Sequence, residues 1–256
     1  MRRIIQAVVV AATLLAALSA GWLVSLASVA GAQAEAAPAG PTATPGPAYW
    51  YYLPLVANLA RDSSQPITVT RPFRPNAWQA ESAGLDYVAV VQGTAWLVTY
   101  DQGVPAVGQS ATAGDRMYRG NKTFLFFDTS AIPAHATVLS ATLTAANCRK
   151  VAGVPFTVEF YPTDAPLPPA PADWLNYGGP AVGELPSAQC GVWNAPLTAT
   201  VTLDPGSIVR GGLTAYALTT DRLAAGFAPD WGTADKLIFD CYADDALVVR
   251  YVVPPQ

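Results

Sequence analysis

Beyond residue 66 the chain is written in short runs where apolar and polar positions alternate, and no amphipathic helix stands out. Runs of this kind fall at 67–71, 86–92, 95–100, 117–127, 137–145, 156–161, 198–203, 213–219, 236–239 and 246–253, each closed by turn residues. Phe156-Thr157-Val158-Glu159-Phe160 alternates cleanly, as a half-buried strand should. Phe124-Leu125-Phe126-Phe127 does not alternate; it is apolar on both faces, which predicts a strand covered on two sides. Asp128, Thr129, Ser130 and Pro133 stop it, because Asp and Ser bond their own backbone and proline lacks a donor for the ladder. The next run sends Leu139, Ala141, Leu143 and Ala145 one way and Ser140, Thr142 and Thr144 the other. About ten strands without helices predict an all-β fold, an antiparallel two-sheet β-sandwich. Long loops are expected at 102–116, 162–190 and 221–235, where such folds carry their function.

The wording of residues 126–143, FFDxSxIPxxAxVxSAxL, resembles the core hairpin of bacterial secreted β-sandwiches of the DNRLRE type. Gly211-Gly212-Leu213-Thr214-Ala215-Tyr216-Ala217-Leu218, then Thr219-Thr220-Asp221-Arg222, and the closing run Leu247–Tyr251 are similar to later strands of that family. The resemblance spans roughly residues 117–253 and implies a jelly-roll-like module attached to cell-surface or polysaccharide-associated proteins. His135 and Ala136 depart from the glycine or aspartate usual in that turn, and the stretch before Met117 matches only loosely.

The N-terminus places the module outside the cell. Arg2 and Arg3 precede an apolar run from Ile4 to Ala30, and Ala32-Gln33-Ala34 has the small-x-small form that a signal peptidase cleaves. Residues 1–34 therefore read as a signal peptide; the run is also long enough to act as an uncleaved membrane anchor. Residues 35–48 are small residues and proline, an extended linker. Residues 49–66 open with the aromatic block Tyr49-Trp50-Tyr51-Tyr52-Leu53-Pro54-Leu55-Val56, which resembles a YLPLV segment of exported proteins from Chloroflexi-like bacteria. It reads as an edge strand docking on the sandwich, or as a sorting or wall-contact segment. Residues 67–256 are enough for one domain with a sizeable core. The net charge of −4 becomes more negative once Arg2 and Arg3 are removed, which argues against nucleic acid as a partner. No basic amphipathic helix suggests peripheral membrane binding either.

Candidate chemistry is sparse. Cys148, Cys190 and Cys241 in an exported chain imply one disulfide and one remaining thiol, with all three pairings open. With a single histidine and no CxxC, zinc is not expected. His135 sits in the tight turn of the best hairpin with no nucleophile announced beside it, so it reads as a turn residue. Glu159 and Glu184 are the carboxylates that a glycoside hydrolase would need, but spacing alone does not identify such a pair. Asp240, Asp244 and Asp245 lie within six residues and could ligate a structural calcium, as similar jelly-roll modules do; a solvated acidic turn is the plainer reading.

Aromatic side chains are the remaining lead, because flat, rigid rings suit sugar faces while polar neighbours fix hydroxyls. Trp174 and Tyr177, with Asp173 and Asn176 beside them, fall in a long expected loop, and Trp231 falls in another. Trp96 and Trp193 are expected to fill the core. The reading is an exported, non-catalytic module that binds carbohydrate or a cell-envelope polymer through Trp174, Tyr177 and Trp231. The alternatives are a structural subunit of a surface layer or fibre, self-associating through edge strands, and a polysaccharide hydrolase or lyase.

Overall fold

The computed structural model describes residues 65–72, 77–101, 105–239 and 245–255. The expected signal or anchor, the expected linker, and all but the last two residues of the 49–66 segment lie outside these, as do Asp240, Cys241 and Asp244. No helix among the described residues is long and apolar enough to cross a membrane.

Twelve strands are present among the described residues, and every ladder between them is antiparallel, so the all-β class holds. They are β1 (Ile67–Pro72), β2 (Ala77–Gly84), β3 (Trp96–Asp101), β4 (Ala106–Thr112), β5 (Met117–Asp128), β6 (Thr137–Ala152), β7 (Thr157–Pro162), β8 (Gly183–Pro186), β9 (Leu197–Leu203), β10 (Leu213–Thr220), β11 (Ala234–Phe239) and β12 (Ala246–Val252). Instead of dividing into two hydrogen-bonded sheets, they form one continuous path, β1-β12-β6-β11-β4-β5-β10-β7-β8, with β2 and β3 branching from β5 and β9 from β6.

Two long strands make this continuity by changing partners along their length. On one edge β5 pairs first with β4, through Met117–Asn121, and then with β10, through Thr123–Asp128. Similarly β6 pairs with β12 and then, beyond a register shift between Ala145 and Cys148, with β11. Gly108 permits the join between β4 and β11: its φ is +131°, and a Cβ there would lie 2.0 Å from the Asp235 carbonyl oxygen. At the far end β8 lies against β9 without a ladder, where a Cβ on Gly183 would come 2.5 Å from Leu203.

Residues of β5 point alternately into two separate cores, as the unbroken apolar run predicts. Leu125 and Phe127 join the larger cluster with Phe160, Tyr216, Leu237 and Phe239. Phe124 and Phe126 join a second cluster with Ala217, Leu223 and Trp174 on the opposite face. Three short helices cover that second face: α1 (Tyr87–Gln92), α2 (Asp221–Ala224) and a 3-10 helix at Pro171–Leu175. They converge on Gly120, where an added Cβ would meet Val90 at 3.2 Å, Leu223 at 3.3 Å and Trp174 at 3.4 Å.

Several expectations are corrected. Residues 86–92 form no strand: the Asp86 side chain accepts from Val88 N, Gly93 closes at φ +67°, and these caps override the β-branched valines. The expected loop 102–116 contains β4; 162–190 contains the 3-10 helix and β8; 221–235 contains α2 and the start of β11. Strand β2 was not anticipated, because its small and polar residues, Ala77 to Gly84, are read as apolar only once covered. Of the three cysteine pairings, Cys148–Cys190 is the one formed.

Replacing Phe126 with alanine should cost about 3–5 kcal/mol by emptying the second core. Chemical denaturation of the variant checks this; an unchanged midpoint would remove β5 from its central place.

Candidate functional site

The alternation that turns Phe124 and Phe126 toward the second core also turns Lys122 there, two residues earlier on β5. Lys122 is 2% exposed. Its Nζ donates to the Trp174 carbonyl oxygen at 2.8 Å and to the Tyr177 hydroxyl at 2.9 Å. It also stands 4.5 Å from the Trp174 ring centre and 4.3 Å from that of Tyr177, within cation–π range. No described carboxylate forms an ion pair with it. Burial therefore acts unopposed and pulls the amine down to about 7 from its ordinary value near 10.5.

From Lys122 a polar chain runs outward across the sheet. The Tyr177 ring lies 5.2 Å from the Tyr161 ring. The Tyr161 hydroxyl donates to Glu159 at 2.7 Å, and Glu159 stands directly opposite Glu184 in the β7–β8 register. Burial raises both tyrosine hydroxyls above their ordinary range, and the bond to Glu159 raises Tyr161 further. Beside Tyr177 a cavity of ≈ 450 Å³ is lined by Thr163, Asp164, Leu175 and Asn176 among others. The Thr163 hydroxyl donates to the Asn176 carbonyl oxygen, tying the wall of this cavity to the end of β7.

The residues expected to form one sugar platform are thus separated. Trp174 is 2% exposed; its ring is packed in the second core and its Nε1 donates to the Val91 carbonyl oxygen at 2.9 Å, so it offers no face to a ligand. Asp173 accepts from Ala170 N at 2.7 Å and from Asn176 Nδ2 at 3.0 Å, closing the 3-10 turn rather than facing outward freely. Tyr177 and Asn176 do line the cavity. Trp231 is 48% exposed and stacks instead on Tyr118, with ring centres 4.5 Å apart and planes inclined by 35°. Tyr87 backs Tyr118 edge-on at 5.2 Å, and its hydroxyl bonds to the side chain of Gln109 and the carbonyl oxygen of Phe227. Arg119, next along β5, holds Glu81 at 2.7 Å and Asp115 at 3.3 Å.

The two tryptophans expected inside are outside. Trp96 is 63% exposed at the start of β3, a strand paired on one side only among the described residues. Trp193 is 59% exposed in the turn closed by Val192 and Ala195, with the Arg149 guanidinium 4.5 Å from its ring centre. His135 is exposed at the tip of the β5–β6 turn. Asp245 is fully buried and accepts from Ala146 N, a bond that anchors the start of β12 to β6. No group of three or more His, Cys, Asp or Glu among the described residues is arranged to hold a metal.

Lys122 was not singled out from the sequence. The available signal was a lysine two residues before Phe124, in phase with the apolar positions Phe124 and Phe126.

A depressed lysine value means that the unfolded chain binds a proton which the folded chain releases, between about pH 7 and about pH 10. Stability should therefore rise with pH across that window, and be held at its lower value below it. Thermal melts of the intact chain check this, and Lys122→Met should reduce the rise, leaving the part contributed by Lys236, whose amine burial also holds below its ordinary value.

No protein-family profile, curated protein or solved structure matches this chain.

Proposed function

We propose that this chain is an exported, non-catalytic module of the DNRLRE-like class that binds carbohydrate or a cell-envelope polymer. The observation that carries this reading is the exposed Trp231 ring laid on Tyr118 and propped by Tyr87. A ring so supported presents a flat apolar face that loses little side-chain freedom when a pyranose settles on it. The expected N-terminal signal and the Cys148–Cys190 disulfide are both in keeping with an oxidising, extracytoplasmic setting.

Titration of the chain with a panel of soluble polysaccharides, followed by tryptophan fluorescence and calorimetry, tests this. Trp231→Ala should weaken binding roughly tenfold or more, a loss of about 1.4 kcal/mol or greater. Equal binding by the variant, or no binding by the parent to any glycan, would sink the reading.

A structural subunit is the second reading, favoured by β1 and β3, each paired on one edge only among the described residues. Light scattering on freshly purified protein separates the two: ordered polymers favour the subunit, a stable monomer the binding module.

A further inference from the structure

Lys122 joins two ends of one short segment. Its Nζ bonds the Trp174 carbonyl oxygen and the Tyr177 hydroxyl, and the residues between them, Leu175 and Asn176, wall the cavity. A neutral amine has two N–H donors, which these two acceptors satisfy. An ammonium has three, so one N–H and a full charge would remain in an enclosed space.

Among the described residues no carboxylate pairs with that charge. From β2 the neighbour across the ladder is Ala80; Glu81 on the next position pairs with Arg119. From α1, Val90 and Val91 pack inward, while Tyr87 is spent on Gln109 and Phe227. From α2 the inward residue is Leu223; Asp221 accepts from Thr157 N, and Arg222 holds Asp235 at 2.9 Å. From β10 comes uncharged Thr219, and from β7 comes Glu159, which holds Tyr161 and acts on Tyr177 rather than on Lys122 directly. The Trp174 and Tyr177 rings, 4.5 and 4.3 Å away, attract a cation, but two ring faces offset only part of the cost of enclosing a full charge.

We infer that Lys122 is a proton-operated latch: as the neutral amine it clamps the 174–177 segment to β5, and on taking up a proton it releases the segment so that water can reach the charge. The cavity beside Tyr177 is consequently shaped at alkaline pH and loosened at acidic pH. Only the segment's side-chain tie to β5 breaks; the tie from Thr163 to the Asn176 carbonyl limits how far it travels. The burial-depressed value of the lysine places the change near neutrality.

Hydrogen exchange of the intact chain tests this, with rates corrected for the intrinsic effect of pH. The opening constant of the backbone amides at 174–178 should be at least tenfold larger at about pH 6 than at about pH 9, a difference of about 1.4 kcal/mol. Lys122→Met should abolish that difference, while amides of β6 and β12 keep theirs. If that variant does not fold, the parent alone decides: the midpoint of segment opening must coincide with the titration of Lys122 followed by the NMR shift of its Cε carbon. Equal opening at both pH values, a pH dependence that survives in Lys122→Met, or separate midpoints would overturn the latch.

Discussion

Burial of β5 on both faces is the constraint on which the rest of the domain depends. A strand with Phe124 and Phe126 on one side and Leu125 and Phe127 on the other must be covered twice. One cover comes from other strands of the sheet, since β6, β9, β11 and β12 contribute side chains to the larger core with Leu125 and Phe127. The second cover is built from pieces too short to be stable alone: a six-residue helix, a four-residue helix and a 3-10 turn. They are held by what they bury, and they meet over Gly120, where an added Cβ would press on all three at 3.2–3.4 Å.

That second layer is also where the polar groups of interest collect. A lysine two residues before Phe124 on the same face is enclosed with it, and among the described residues its amine bonds a carbonyl and a tyrosine hydroxyl. Enclosing it favours the neutral amine and makes the covering loop sensitive to protonation. The same loop presents Tyr177 toward the cavity while hiding Trp174 beneath it. One short segment therefore combines a packing function, carried by the tryptophan, with a surface function, carried by its neighbours. The Trp231–Tyr118 pair stands apart from it, on the part of β5 that pairs with the end of β4.

Much of the strand inventory was legible, because period-two alternation is set by backbone geometry and shows wherever one face is buried. The runs around 117–127, 198–203 and 213–219 appear within a residue of their expected bounds, whereas the 137–145 run continues to Ala152. Strand β2 and helix α1 were not legible. In β2 the buried residues are alanines, Gln79 and Ser82, whose burial depends on partners far away in the chain. In α1 the valines favour a strand, and the caps at Asp86 and Gly93 decide otherwise. For the candidate site, Tyr177, Asn176, Trp231, Glu159 and Glu184 were visible as residue types. Which of them are covered was not visible, and Trp174, Trp96 and Trp193 show how freely a tryptophan can fall on either side of a surface.

By itself the sequence determined the all-β class, the central two-faced strand with its Phe-Phe-Asp stop, the candidate export signal and the acidic balance, since each follows from local pattern or composition. Tertiary structure alone decided the choice of Cys148 with Cys190, the opposition of Glu159 and Glu184, the stacking of Trp231 on Tyr118 and the enclosure of Lys122. These are meetings between residues from 25 to more than 110 positions apart. Such meetings are fixed by strand register and by which short elements cover which face, and neither leaves a mark on the residues' immediate neighbours in the chain.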